Sequence, residues 1–499
     1  MRASSVVEGT VASLAEASSS VSLARSGMYL VLGQALTTVL GLAFNMVVVR
    51  KLGPVGFGLY FLISSFAAFA LVLVDWGQQY YGIREVARAP ERGGELLGTS
   101  LALRTVGALL ICLPAVAAAW ALGYDGRTIA FSVAFIGISI PFFVAQNYGM
   151  VFRGRERMGL DSSVSVANRA AGLVLAFAAV NLGFGLGGVL LAQGLAGVAA
   201  LALALFLYQR VATGRLHFSW TAGRQLLRGG TAIVAITIAV YVQPYLDAVL
   251  LSKLVPADAM GWYGGAKTIM GTLLAPALIL GTAAYPRLSR ASHDPSAFHA
   301  EFATAQRPMM WLGGLAAIGT WLFANFAIHI MYKAAFSPAG VILQVFGLGL
   351  FLTFVDILIG TALTAVGRAT AFAVAKVGSL VLALGLELVL IPYFQARSGN
   401  GGIGVTVASV VSEGVIFAGG LLLMPRGTLG ADIFVDGARA VASALATFLL
   451  FYWLPWLSPW LGIPLCIVAF TAFSVVFGLV RRRDLAVFRA LLRRAPAVS

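Results

Sequence analysis

Long apolar stretches recur along the whole chain and are separated by short polar segments. A helix needs roughly 20 apolar residues to cross the hydrocarbon core of a bilayer. By this criterion the pattern predicts fourteen membrane-spanning helices, and therefore an all-α polytopic membrane protein. The predicted spans are 27–49, 57–81, 97–122, 128–152, 162–182, 186–208, 229–252, 263–284, 306–330, 338–364, 370–393, 402–424, 437–457 and 460–480.

The first twelve predicted spans contain an internal repeat. The matching positions are 51–54 with 253–256, Tyr60 with Tyr263, Arg84 with Arg287, Arg104 with Arg307, 154–155 with 367–368, and 185–188 with 399–402. An ordered series of matches at equivalent loops indicates a duplicated unit of six helices. Because six is even, both copies enter the membrane from the same side, so the repeat is parallel. Two such lobes around a central cavity are typical of alternating-access transporters.

The repeat also predicts how the chain is divided. The predicted parts are a disordered cytoplasmic tail at 1–24, an N-terminal six-helix lobe at 25–210, a C-terminal six-helix lobe at 229–424, accessory helices 13 and 14 at 437–480, and a basic cytoplasmic tail at 481–499. The accessory helices lie outside the repeat. No soluble domain is inserted between the spans.

Composition and charge agree with this pattern. Hydrophobic residues make up 60% of the chain and charged residues only 11%, against about 25% charged in soluble domains. The net charge of +15 is concentrated at the ends of apolar segments, which argues against nucleic-acid binding. Cytoplasmic loops are enriched in Lys and Arg. With the N-terminus inside, 27 of the 34 basic residues fall on the cytoplasmic side, so both termini are predicted to be cytoplasmic.

Several short motifs carry a resemblance to a known family. The sequence R-K-L-G-P-V-G-F-G-L-Y at 50–60 precedes Asp75 and R-E-V-A-R at 84–88, and Asp247 precedes K-L-V-P-A-D-A-M-G-W-Y at 253–263. The chain resembles the polysaccharide transporter (O-antigen flippase-like) branch of the multidrug/oligosaccharidyl-lipid/polysaccharide exporter superfamily. The resemblance implies a flippase that moves polyprenyl-diphosphate-linked oligosaccharides to the outer leaflet with the help of an ion gradient.

Motifs of common enzyme classes do not occur in the sequence. It has no G-x-x-x-x-G-K-[ST], H-E-x-x-H or C-x-x-C pattern, and its loops are short and poor in acidic residues. We therefore predict no enzyme activity, no metal site and no cofactor, with H+ or Na+ as the alternatives for a coupling ion. Cys112 and Cys466 are interpreted as small buried hydrophobes.

Carboxylates inside spans are the candidates for ion coupling. An ionisable group at the centre of a spanning helix costs about 2.5–3.5 kcal/mol and usually faces a bundle interior or a cavity. The candidates are Asp247 in span 7, Asp75 at the end of span 2, Glu387 in span 11 and Asp356 in span 10, with Glu413 in span 12 as a weaker one. The alternative for Glu387 and Asp356 is pairing with Lys376 or a polar neighbour. The alternative for Asp247 is a structural hydrogen bond to a neighbouring helix, and for Asp75 a position at the membrane interface.

Arginines and polar side chains are the candidates for substrate contact. Guanidinium groups bind phosphate oxygens bidentately, so arginines near the cytoplasmic ends of spans could receive a lipid diphosphate. The substrate or cavity candidates are Arg104, Arg307, Arg169, Asn45, Gln34, Tyr241 and Gln243. The alternative for the arginines is that they anchor helix ends at the interface.

The sequence thus predicts a flippase for lipid-linked oligosaccharide, such as an O-antigen or exopolysaccharide repeat unit. Its expected partners are this substrate, the membrane and polysaccharide polymerase or glycosyltransferase machinery, with no nucleic acid. It is expected as a multi-pass protein of a bacterial or archaeal plasma membrane. Two alternatives stay open: a multidrug antiporter of the same superfamily, and a non-transport protein of envelope assembly.

Overall fold

The computed structural model describes residues 2–211 and 214–481, with side chains from Leu32 onward except at 232, 235, 236 and 239–241. These residues form α-helices with two short 3-10 turns, Pro90–Arg92 and Ala334–Phe336, and the described part of the chain contains no β-strand. The chain divides into two compact units, Met1–Tyr245 and Leu246–Ser499. The all-helical fold class predicted from the apolar pattern is confirmed.

The first unit contains nine helices and the start of a tenth. They are α1 (Arg2–Asp75), α2 (Gln78–Arg88), α3 (Gly93–Leu110), α4 (Cys112–Ala121), α5 (Gly126–Asn147), α6 (Gly149–Gly154), α7 (Met158–Asn181), α8 (Gly185–Val211), α9 (Trp220–Tyr241) and α10 (Gln243–Leu254). A buried cluster that includes Tyr148, Phe152 and Val164 joins α5, α6 and α7.

The second unit takes in most of α10 and all later helices. These are α11 (Ala257–Ala291), α12 (Pro295–Tyr332), α13 (Ala339–Ala365), α14 (Ala369–Ser398), α15 (Gly402–Leu423), α16 (Ala431–Tyr452) and α17 (Pro459–Val476). Its main core contains Leu288, Phe302, Leu350, Phe354 and Leu358, so α13 is the central helix of this unit. The accessory helices α16 and α17 both pack on α12.

The number of membrane-length helices matches the prediction once two cases are taken into account. Among the described side chains, twelve stretches are long and apolar enough to span a membrane. One of them, Leu32–Arg88, joins the predicted spans 27–49 and 57–81. The predicted span 229–252 is divided between α9 and α10, and several of its side chains are outside the described set.

Between the first two predicted spans, 27–49 and 57–81, the helix is interrupted at a single residue. Within Arg2–Asp75 only Gly53 leaves the helical conformation, with φ 69° and ψ −180°. This region of backbone space is essentially restricted to glycine. Pro54 then begins the next helix, where its missing N–H costs no hydrogen bond. In the second repeat the corresponding break lies between Leu254 and Ala257, with Pro256 extended at the start of α11.

Two predicted spans are broken where the sequence analysis expected continuous helix. Span 2 ends at Asp75, and Trp76 and Gly77 take positive φ values of 47° and 70° before α2 begins. Helix α9 passes close to this break. A Cβ at Gly230 of α9 would collide with the Trp76 carbonyl oxygen, so only glycine fits at that position. Span 7 breaks between α9 and α10, where Pro244 cannot donate the backbone hydrogen bond that a continuous helix requires.

Equivalent arginines support the repeat at the level of hydrogen bonds. Arg155 follows α6 and donates to the carbonyl of Val211, which ends α8, at 2.8 Å. Arg368 precedes α14 and donates to the carbonyl of Leu423, which ends α15, at 2.7 Å. Cations at helix C-termini satisfy free carbonyls and interact favourably with the helix dipole. Each copy therefore closes its sixth span with the same contact.

The domain boundaries differ in detail from those predicted. The second repeat was expected to start at 229, whereas α9 packs against α2 and α3 within the first unit. The first helix is traced from Arg2, so the backbone of the predicted disordered tail at 1–24 is helical, and no proline interrupts the sequence before Pro54. Positions 482–499 of the predicted basic tail lie outside the described residues.

Candidate functional site

The interior of the second unit contains a fully buried carboxylate, Asp247, with no exposed surface. Helix α10 begins at Gln243, four residues before Asp247, and the Asp247 side chain faces α11. Tyr263 donates its hydroxyl hydrogen to Asp247 Oδ2 at 2.6 Å, and Lys267 Nζ lies 3.5 Å from the same oxygen. Tyr263 and Lys267 are one helical turn apart on α11 and therefore share a face.

A second carboxyl group faces Asp247 from α14. Glu387 is also fully buried, and its side chain lies within hydrogen-bonding reach of the Asp247 carboxyl and near Lys267. Neither Glu387 oxygen has a hydrogen-bond donor among the described residues, and Asp247 Oδ1 has none either. We call Asp247, Glu387 and Lys267 the Lys267 triad.

The same combination of groups occurs again in this unit, on α13, α14 and α15. Lys376 Nζ lies 2.6 Å from Asp356 Oδ2, and Asp356 is 3% exposed. Glu413 on α15 lies within electrostatic range of this pair. Asp356 Oδ1 and Glu413 Oε1 have no hydrogen-bond donor within the described part of the chain. We call Asp356, Glu413 and Lys376 the Lys376 triad.

The first unit contains a buried arginine instead. Arg104 on α3 is 1% exposed, pairs with Asp75 at the end of α1, and lies over the Phe143 ring at 4.7 Å. Asp75 Oδ2 also accepts the backbone N–H of Gly77 at 3.2 Å, so the helix break positions this carboxylate. An arginine at this depth requires such a partner, because an unpaired buried charge is strongly destabilising.

Neutral polar side chains continue this cluster toward α2 and α5. Ser100 donates to Gln78 Oε1 at 2.9 Å, and Asn147 Nδ2 donates to Ser100 Oγ at 3.0 Å. All three are buried. Beside them is a cavity of about 310 Å³, lined by residues that include Trp76, Gln78 and Leu103. A polar interior network beside a cavity is the kind of place where a ligand contacts a transporter.

The arginine at the equivalent position of the second repeat has a different partner. Arg307 Nε lies 2.8 Å from Asp436 Oδ2, and Arg439 Nη1 lies 2.8 Å from Asp436 Oδ1. Asp436 belongs to the accessory helix α16 and is 3% exposed. Arg307 therefore connects the repeat to the accessory helices.

The remaining predicted substrate contacts are not brought together into one cluster. Arg169 is exposed on α7, and Gln34 is exposed on α1. Asn45 is half-buried and donates to the carbonyl of Gly41 in its own helix at 2.9 Å. Gln243 is half-buried in the first turn of α10, and the side chain of Tyr241 lies outside the described residues. The role of each in substrate contact stays a prediction.

Sequence reasoning missed Lys267 and Tyr263 as members of this site. The repeat identifies Tyr263 only as the counterpart of Tyr60, and no sequence motif points to Lys267. Their spacing of one helical turn was a usable signal, because an intramembrane lysine needs an acidic partner. Glu387 and Asp247 come from distant parts of the sequence, so their proximity could not be predicted without the tertiary structure.

A metal site would require several ligand side chains close together. In the part of the chain that the structure describes, no group of three or more His, Cys, Asp or Glu side chains is arranged to hold a metal ion.

Known families and structures resemble this architecture. A family model described as polysaccharide biosynthesis protein matches residues 23–292. A protein of Shigella flexneri named as an O-antigen transporter is 24% identical over 54% of this chain and 67% of its own length. A protein of Haloferax volcanii named as a low-salt glycan biosynthesis flippase is 23% identical over 73% of this chain and 76% of its own.

Solved structures confirm the fold class. The lipid II flippase MurJ in an inward closed conformation has a TM-score of 0.68 at 12% identity, covering 92% of this chain and 100% of that one. An inward-facing MATE-family multidrug resistance transporter of the MOP superfamily has a TM-score of 0.65 at 17% identity, covering 77% and 94%. At these identities the likeness establishes the fold alone.

Proposed function

The chain belongs to the polysaccharide biosynthesis protein family, and on that premise we propose that it translocates a polyprenyl-diphosphate-linked oligosaccharide from the inner to the outer leaflet. It is a flippase-like transporter of the MOP superfamily with many apolar helices. The relatives named for O-antigen and glycan transport support a glycan as the substrate. We propose that the polar headgroup is moved by alternating access while the lipid tail stays in the bilayer.

The observation that carries this proposal is the pair of lysine–carboxylate triads, whose members lie on helices of membrane length except for Asp247 on the short helix α10. Such groups are expensive in a bilayer and are characteristic of ion and substrate pathways. A merely structural bundle would be more stable with apolar side chains there, since replacing a buried ion pair by apolar groups is often neutral or stabilising. We therefore assign the coupling of an ion gradient to transport to these triads.

We assign recognition of the diphosphate to arginine side chains. Arg169 is exposed on α7 and can meet an anionic group directly. Arg104 and Arg307 already pair with Asp75 and Asp436, so each would have to exchange a carboxylate for phosphate. Guanidinium groups suit this exchange because the same planar donors bind carboxylate and phosphate.

Deletion of the gene, followed by an assay of lipid-linked oligosaccharides, tests this function. We expect the lipid-linked oligosaccharide to accumulate on the cytoplasmic face, and the wild-type gene to reverse the accumulation. Asp247→Asn should fail to reverse it, because the buried carboxylate beside Tyr263 and Lys267 loses its charge. Asp258→Asn, the same change in the first turn of α11 outside the triads, is the matched control and should complement.

The alternative function has a different signature in the same strains. If lipid-linked oligosaccharides are unchanged in the deletion strain and drug sensitivity rises, the protein is a multidrug antiporter and the flippase proposal is wrong. Unchanged glycans and unchanged drug sensitivity would instead favour a non-transport role in envelope assembly.

A further inference from the structure

Resting on the function proposed above, we propose that the second unit holds two proton-binding sites rather than one, each built around a half-buried lysine that is paired with a buried aspartate. The Lys267 triad and the Lys376 triad have the same composition, one ammonium group and two carboxyl groups. The first triad is built from α10, α11 and α14, and the second from α13, α14 and α15, so the two triads share only α14. Each triad binds one proton on a carboxyl oxygen, and the lysine keeps its own charge.

Charge balance within each triad is the first argument. With all three groups ionised, one positive and two negative charges leave a net charge of −1 in a buried site. An uncompensated buried charge is far more costly than a neutral set of hydrogen-bonded groups. One proton on either carboxylate makes the triad neutral. Transport of an ion therefore needs only the gain and loss of that proton, with no further reactant.

Hydrogen-bond geometry in the Lys267 triad is the second argument. The Glu387 carboxyl faces the Asp247 carboxyl at hydrogen-bonding reach. Ionised carboxylates only accept hydrogen bonds, so two of them in contact repel each other. A single proton between them turns this contact into a hydrogen bond. It also explains why the Glu387 oxygens have no other donor among the described residues.

The lysines are the reason to choose a proton over a metal cation. Metal cations such as Ca²⁺ are bound by a shell of several oxygen ligands. In the Lys267 triad the ammonium group already lies 3.5 Å from Asp247, and in the Lys376 triad it lies 2.6 Å from Asp356. A resident ammonium occupies the place of the cation and repels a second one. A proton adds to a carboxylate without displacing it.

The charged and titratable groups around the two triads are few. Tyr263 on α11 is hydrogen-bonded to Asp247 and faces Glu387. Glu413 lies within electrostatic range of Lys267 as well as Lys376 and Asp356, so the two triads influence each other. Loss of the proton from one triad therefore makes the surroundings of the other more negative, which favours protonation there.

Infrared difference spectroscopy of the protein in lipid vesicles tests this proposal without any substrate. We expect two carboxylic-acid carbonyl bands that disappear at alkaline pH, at the same pH in sodium-free and sodium-containing buffer. Glu387→Gln should remove one band and Glu413→Gln the other, because glutamine keeps the shape but cannot bind the proton. Glu301→Gln, whose carboxylate pairs with exposed Arg287, is the matched control and should keep both bands.

Lys267→Gln provides a second measurement that does not remove a carboxyl group. Without the ammonium charge the Lys267 triad should keep its one proton to a higher pH, so its carboxylic-acid band should disappear at a higher pH than in the wild type. The proposal is wrong if sodium abolishes either band at constant pH, or if both Gln variants retain both bands. Bands that behave as expected beside an unaltered glycan assay would leave the proton sites intact and overturn the flippase function instead.

Discussion

Several buried ionisable side chains among the described residues are paired with a side chain from another helix. Asp436 is the clearest case, since it is nearly inaccessible and accepts from two arginines. Arg307 lies on α12 and Arg439 on α16, so one carboxylate joins the accessory helices to the repeat. A single residue thus determines how firmly an element outside the repeat is attached.

Asp436→Asn should loosen the accessory helices. It replaces the carboxylate shared by two arginines with a neutral amide that keeps only one acceptor oxygen, which we expect to cost about 2 kcal/mol after allowing for the partial exposure of the arginines. Cys466 on α17 is 1% exposed, so its reaction with a maleimide reports detachment of this helix. In a Cys112→Ala background the labelling rate of Cys466 should rise roughly thirtyfold.

The matched control for this measurement is Asp432→Asn, on the same helix. Asp432 is 44% exposed and pairs only with His299, so its loss should change the labelling rate by less than about threefold. Equal rates for the Asp436 and Asp432 variants would mean that the buried ion pair does not hold α16 in place.

Helix breaks are the main device at the scale of elements. Gly53, the Trp76–Gly77 pair and the Pro244 region each end a helix inside the apolar part of the chain. Asp75 directly precedes the irregular residues Trp76 and Gly77, and Asp247 lies in the second turn of the helix that begins after the break near Pro244. Broken helices in membrane transporters commonly carry the groups that contact ions and substrates.

Gly53→Ala should destabilise the protein although nothing lies near the added methyl group. A Cβ at this position meets no atom within 4 Å, but φ of 69° is unfavourable for alanine. We expect a loss of about 1–3 kcal/mol, seen as a lower thermal unfolding midpoint in detergent. Gly41→Ala is the control, because that site is equally open and helical, so alanine should be neutral or stabilising. Equal midpoints for the two variants would contradict the strained conformation at Gly53.

At the scale of the whole molecule, duplication explains why each unit contains a similar bundle. The Arg155 and Arg368 caps occur at matching places, whereas the polar interiors have diverged. The first unit contains a buried arginine–aspartate pair, and the second contains two lysine–carboxylate triads. The two units therefore differ in the charged groups that their interiors contain.

The orientation in the membrane remains a prediction and can be tested on intact cells. The positive-inside rule places His293 in the cytoplasm and Trp456 outside. Both side chains are exposed. In a Cys112→Ala, Cys466→Ala background, Trp456→Cys should react with an impermeant maleimide in intact cells. His293→Cys should react only after permeabilisation, and the reverse result would invert the topology.

Much of this protein follows from its sequence. The apolar segments, the loop between the first two spans and the six-helix repeat are local or periodic features, so they can be read without coordinates. The fourteen predicted spans correspond to the observed helices because a bilayer demands long apolar helices with satisfied backbones. The candidate carboxylates were found for the same reason, since a charge in an apolar segment is conspicuous.

Only the tertiary structure decided which of these groups meet. Arg307 and Asp436 are 129 positions apart, and nothing in their local sequence connects them. The proximity of Glu387 to Asp247, and the ion pair of Lys376 with Asp356, likewise depend on how α14 packs against its neighbours. Local sequence determines the cost of burying each charge, but the packing of distant helices determines which partner compensates it.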